Sequence, residues 1–157
     1  MHASYLKKVN NSFFYRLFLI AKLPIAWISG LKVNKVTPEK SQIYIRYNYF
    51  NQNPFKSMYF ACQAMAAEMS TGLLAMGYID IHSQKISMLV MDLNCKFTKK
   101  AVGEIQFVCE DGILVKEAIN KAVNSNEGVL CEMISNGYDQ KGDIVSSFKI
   151  IWSFKLK

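Results

Sequence analysis

The chain has 157 residues, 51% of them hydrophobic and 20% charged, and a net charge of +7. That is apolar material for one compact core of about this length, with no dependence on disulfides. The only histidines, His2 and His82, leave few candidates for a histidine triad or a multi-histidine metal site. The four cysteines, Cys62, Cys95, Cys109 and Cys131, stand far apart in apolar runs and fit no metal-ligand spacing, so they read as small hydrophobes in a reducing, cytoplasmic compartment. The positive charge favours anionic partners: a phosphorylated cofactor, a nucleic acid or a membrane surface.

Residues 13–28 are rich in Phe, Leu and Ile, but Arg16, Lys22 and Pro24 interrupt them. Neither a spanning helix nor a secretory signal tolerates such interruptions. Asn11 or Ser12 is placed to cap an amphipathic helix here, which either packs on the core or lies against a membrane surface or partner. Leu31 to Val36 is strand-like, Thr37 to Lys40 a turn, and Gln42 to Phe50 alternates with period two, placing Ile43, Ile45, Tyr47 and Tyr49 on one face.

Met58 to Gly77 is then a helix of roughly 30 Å, apolar on nearly all sides, with Glu68 as its only acid. Ile86 to Thr98 is a long β-prone run whose second half is one-sided, Leu89, Met91, Leu93, Cys95 and Phe97 against Val90, Asp92, Asn94, Lys96 and Thr98. Glu104 to Glu110 is a short strand, and Ile113 to Asn124 is a short amphipathic helix. Gly128 to Gly137 and Asp143 to Leu156 form a hairpin about Asp139-Gln140-Lys141-Gly142. Helix, strands, long helix, then antiparallel strands interrupted by a helix is an α+β order, with a twisted sheet wrapped around the apolar helix. No Gly-rich phosphate loop follows any strand.

Several residues in this order carry a family resemblance. Asn53 precedes Glu68 at a distinctive spacing, Val90-Met91-Asp92-Leu93-Asn94 leads to Ala101-Val102-Gly103, and Leu23-Pro24 and Asn53-Pro54-Phe55 punctuate the amino-terminal half. From about Leu31 to Lys157 the chain resembles the hotdog fold. More narrowly, it resembles the acyl-coenzyme A thioesterase-like branch related to phenylacetic-acid-degradation thioesterases, and within it an uncharacterised, domain-of-unknown-function group. The resemblance implies one hotdog domain over 1–157, with 1–30 as a helical extension and 31–157 as the core. It also implies at least a homodimer, possibly a tetramer, hydrolysis of a fatty or aromatic acyl thioester at a site shared by two subunits, and no cofactor other than the coenzyme A of the substrate. Where the family has His-Gly-Gly at the start of the central helix, this chain has Tyr59-Phe60-Ala61.

The candidate catalytic residues are Glu68 and Asn53, with Tyr59, Phe60, Ala61, Thr71, Asp92 and Lys96 as candidate substrate contacts and no metal ligands. Glu68 shares its helix face with the small residues Ala61, Ala64, Thr71, Gly72 and Ala75, which leaves room for an acyl chain, while burial makes it a stronger base. Alternatively, that face packs tightly and Glu68 pairs with a cation or with backbone amides. Asn53 either orients the attacking water or serves as a loop-to-helix device before Pro54, and Tyr59 either donates to the substrate carbonyl or is simply packed. Lys96, Lys99 and Lys100 hold a phosphate-rich tail or are a solvated strand end, and Asp92 is structural or lines the pocket. A non-catalytic acyl- or lipid-binding protein is the competing reading. Nucleic-acid binding is set aside, because Tyr44, Tyr47, Tyr49 and Phe50 alternate across both strand faces without an RNA-binding signature.

Overall fold

The computed structural model describes all residues, Met1 to Lys157. Three short helices come first: α1 (Ala3–Val9), α2 (Ser12–Lys22) and α3 (Pro24–Ile28). The Asn11 side chain caps α2, accepting from the Phe13 and Phe14 amides at 3.1 Å each. Pro24 ends that helix by excluding helical geometry at Leu23, whose φ is −138°, and then opens α3. The single helix expected over this stretch is therefore two, and α1 ahead of them carries no periodic signal long enough to have been read.

Strands β1 (Lys32–Val36), β2 (Ser41–Arg46), β3 (Ile86–Phe97), β4 (Glu104–Cys109), β5 (Val129–Tyr138) and β6 (Ile144–Leu156) make one antiparallel sheet in the order β1-β2-β4-β5-β6-β3. The long helix α4 (Phe60–Ile79) lies on its core face beside α5 (Gly112–Ser125). The expected α+β order and hairpin are present, with Gly142 at φ +85° closing the turn between β5 and β6.

Two strands depart from the alternation read in the sequence. β2 stops at Arg46, because Asn48 and Asn51 build a cap there. Asn51 Oδ1 accepts from the Asn48 amide at 2.8 Å, and its Nδ2 donates to the carbonyls of Arg46 and Ser29. Tyr49 consequently leaves the core face and is exposed. In β3 the register slips between Val90 and Asp92, leaving Met91 bulged. Directly opposed residues share a face, so Met88, Val90, Leu93, Cys95 and Phe97 join Phe154, Trp152, Ile150, Phe148 and Ser146 on the core side, whereas Leu89 sits across from Ser153 on the outside. The bulge transfers Leu89 to the outer face and Val90 to the inner one.

Because α4 is enclosed, each buried polar side chain on it needs a partner. Gln63 Oε1 accepts from Ser146 Oγ at 2.9 Å, Ser70 Oγ hydrogen-bonds Ser135 Oγ at 2.7 Å, and Thr71 Oγ1 accepts from Trp152 Nε1 at 3.0 Å. These three bonds fix the helix's rotation and its height over β5 and β6. The start of α5 is set by a backbone contact, since a Cβ on Gly112 would fall 2.0 Å from the Pro38 carbonyl oxygen and 2.7 Å from that of Glu39. Gly112→Ala is expected to lower stability by about 1–3 kcal/mol in urea unfolding, while Gly128→Ala, whose Cβ meets nothing within 4 Å, changes it by less than about 0.5 kcal/mol. Equal, small effects at both positions would contradict this packing.

Candidate functional site

The candidate residues fall into two groups separated along α4. At its start, Asn53, Tyr59 and Phe60 line an open cleft of about 540 Å³ with Phe97 and the segment Thr98–Ala101. The amides of Phe60 and Ala61 precede the first intrahelical bond, Cys62 N–H to the Tyr59 carbonyl at 3.0 Å, and Tyr59 supplies no side-chain cap. This helix start therefore presents unpaired donors at the positive end of the helix dipole. Tyr59 and Phe60 stack edge-on at 4.9 Å beside those donors, and Phe60 continues to Phe97 at 6.4 Å. The aromatic pair walls the cleft where the resembling family has its histidine and first glycine.

Asn53 is engaged by its own loop. Its Oδ1 accepts from the Phe55 amide at 2.9 Å, from the Ser57 amide at 3.3 Å and from Ser57 Oγ at 3.2 Å, and its Nδ2 donates to the Met58 carbonyl at 3.4 Å. The side chain thus shapes the turn that delivers the chain into α4. Lys100 Nζ braces that same turn from outside by donating to the Phe55 carbonyl at 3.1 Å. Lys99 is held between Asp139 and Asp143 of the hairpin turn. Asp92 and Lys96 oppose Ile151 and Ser147 and so occupy the outer face of the sheet, away from α4 of the same chain.

Glu68 stands nine residues beyond Tyr59, about 13 Å along the helix axis. Its carboxylate has no ion pair, and no side-chain hydrogen bond reaches it, while burial pushes its pKa up from the ordinary glutamate value. A Cβ on Gly72 would lie 3.5 Å from Glu68 Oε1 and 3.6 Å from the Trp152 ring, so the missing side chain leaves a gap bounded by the acid and the indole. Thr71 is behind it, bonded to Trp152 Nε1. The Glu68 charge also reaches Tyr15 of α2, whose phenol is held well above its usual pKa, first by burial and then by that negative charge.

Tyr15 was not among the residues singled out in the sequence. Its only signal there is the helical spacing of four to Leu19; in the structure these two are the buried residues of an otherwise exposed α2. Tyr15 also lines a second cavity, about 820 Å³, which lies between α2, α3 and β1 with Leu19, Trp27, Leu31 and Val33 in its wall. The helix acid, which lines neither cavity, and the helix-start donors thus stand apart within one chain, joined by α4. No three His, Cys, Asp or Glu side chains come together as a metal site.

This architecture is the hotdog fold of thioesterase-like proteins. A protein of unknown function from Pseudomonas aeruginosa, described as a "probable thioesterase", superposes with a TM-score of 0.74 at 15% identity, over 98% of this chain and 95% of its own. A protein of unknown function from Chlorobaculum tepidum gives 0.79 at 13% identity, over 98% and 99%. A thioesterase from Haemophilus influenzae gives 0.65 at 8%, over 89% and 88%. The chain belongs to the family described as Domain of unknown function (DUF4442), whose sequence profile matches residues 11–153. No curated protein matches it.

Burial without a partner has a measurable consequence at Glu68. Its folded pKa is above the unfolded one, so between the two the native state holds the proton more tightly and stability falls as pH rises. Glu68→Gln removes that loss. The variant is expected to be more stable than the native protein at pH 7 in paired urea titrations, with the gap closing below about pH 4, where the unfolded glutamate is also protonated. A gap that instead favours the native protein at pH 7 would reveal a hidden cationic partner.

Proposed function

We propose that the protein hydrolyses a fatty or aromatic acyl thioester, with acyl-coenzyme A as the substrate class and Glu68 as general base or nucleophile. The observation that carries the proposal is a carboxylate on the central helix, raised in pKa by burial, free of ion pairs, and facing a gap left by Gly72. In the general-base form, Glu68 takes a proton from water as the water oxygen bonds the acyl carbon. The carbon–sulfur bond then breaks, and the thiolate leaves and takes up a proton. The developing oxyanion needs donors, and the free amides of Phe60 and Ala61 are suited to it.

Those amides are about 11–12 Å from Glu68 along the same helix, so they would act on its substrate from a second copy of the chain. Two features support such a dimer. β3 is a twelve-residue edge strand with nothing on its free side, and it carries exposed Leu89, Met91 and Leu93. The opposite edge, β1, is short, irregular and partly capped, with Asn10 bonding both the amide and the carbonyl of Val36.

The aromatic pair Tyr59–Phe60, crowding the donors at the start of α4, favours a second reading in which the chain holds an acyl group without turning it over. In that role no free thiol is released, and an acyl compound copurifies.

Thiol release from short, long and aromatic acyl-coenzyme A substrates separates the two. Hydrolysis is expected in the native protein and a loss of about 100-fold or more in Glu68→Gln. An unchanged rate in that variant removes the proposed mechanism, and no release on any substrate leaves the binding role. Leu89→Lys with Met91→Lys is expected to yield a folded monomer by light scattering, without activity. A fully active monomer would place the whole site within one chain.

A further inference from the structure

The amino-terminal helices expose an apolar surface that their own packing does not explain. α2 buries only Tyr15 and Leu19, and α3 only Ala26. Phe13 is 65% exposed, Phe14 61% and Ile25 61%, with Leu17, Ile20, Leu23, Trp27 and Ile28 also open to solvent. Phe50, 71% exposed, meets this surface at the rim of the 820 Å³ cavity. Folded proteins seldom leave so large a continuous apolar patch uncovered.

Its charge is equally one-sided. Before Glu39 the chain has six cations, Lys7, Lys8, Arg16, Lys22, Lys32 and Lys35, and no acid, so this quarter of the sequence carries six of the seven net positive charges. All six are exposed, and none has an ion-pair partner. Arg16 and Lys32 stand at the cavity wall among the aromatics, with the Arg16 guanidinium 6.0 Å from the Trp27 ring centre. None of the helices is long and apolar enough to cross a membrane.

We propose that α2 and α3 dock the protein onto the surface of an anionic lipid bilayer, their Phe, Trp, Leu and Ile side chains entering the headgroup–acyl boundary and their Lys and Arg side chains meeting the headgroups. Apolar insertion combined with basic attraction is the physical basis of interfacial helices. Aromatic rings of amphipathic character favour that boundary. A second copy of the chain is a poorer occupant, because a two-fold contact here would bring two surfaces of six uncompensated cations together. The docking is independent of whether the protein hydrolyses thioesters.

The test is sedimentation of the full chain with vesicles of phosphatidylcholine alone and with 30% phosphatidylglycerol (about a third, enough for a strongly negative surface). Binding to the anionic vesicles is expected to be about tenfold tighter or more and to weaken as salt is raised. Phe13→Ser with Phe14→Ser, and separately Arg16→Glu with Lys22→Glu, are each expected to lower it about tenfold or more while leaving the circular-dichroism melt unchanged. All four positions are exposed, so the fold does not depend on them. Absence of binding to anionic vesicles, or equal binding to neutral ones, overturns the proposal. So does a Phe13→Ser, Phe14→Ser variant whose only change is a smaller oligomer by light scattering, since a second copy would then be the occupant.

Discussion

The architecture depends on enclosing a twenty-residue helix that has no polar side. In α4 thirteen residues are buried, and they are distributed around the helix rather than along one stripe. Only a surface that wraps it can satisfy such a helix, which is what the six-stranded sheet, α5 and the amino-terminal helices provide between them. Apolar contact alone would leave the helix free to slide or turn. The bonds from Gln63 to Ser146, Ser70 to Ser135 and Thr71 to Trp152 remove that freedom, and each also relieves the cost of burying its own polar group.

Glu68 is the exception to that arrangement, and this is what makes it chemically interesting. Every fully buried polar side chain of α4 has a hydrogen-bonding partner, yet the helix's only carboxylate has neither donor nor cation, and Tyr15 has its own ionisation opposed by the Glu68 charge. A group retained in such a position costs stability, and such costs concentrate at functional sites. Since the helix is locked in rotation by its three bonds, the face that carries the acid is fixed, and the carboxylate lies beside Gly72 and the Trp152 indole.

Much of this was legible in the sequence, for reasons that also explain the misses. The order of elements, the hairpin and the apolar helix follow from periodicity and turn residues. The hotdog resemblance rested on Asn53, Glu68 and the strand after them, and the fold agrees with it. The bulge at Met91 was hidden because a single-residue slip leaves composition unchanged while exchanging the faces of Leu89 and Val90. The end of β2 at Arg46 was hidden because Tyr49 keeps the alternation going, whereas the side-chain bonds of Asn48 and Asn51 stop the strand. At the site, Glu68 stood out as a lone acid among apolar residues. That its carboxylate lacks partners, that Asn53 is consumed by its loop and that Tyr15 approaches from α2 are long-range facts that no local pattern encodes.

The central claim is that Glu68 faces the reacting carbon of a bound acyl thioester. It is tested most directly by a crystal structure with an unreactive acyl-coenzyme A analogue in which a ketone replaces the thioester. The account predicts the ketone carbon about 3–3.5 Å from a Glu68 oxygen, or from a water that Glu68 holds, with its oxygen toward amides at the start of an α4 helix. An acyl group seated away from Glu68, with the carboxylate still without a partner or newly paired to a cation, would contradict it.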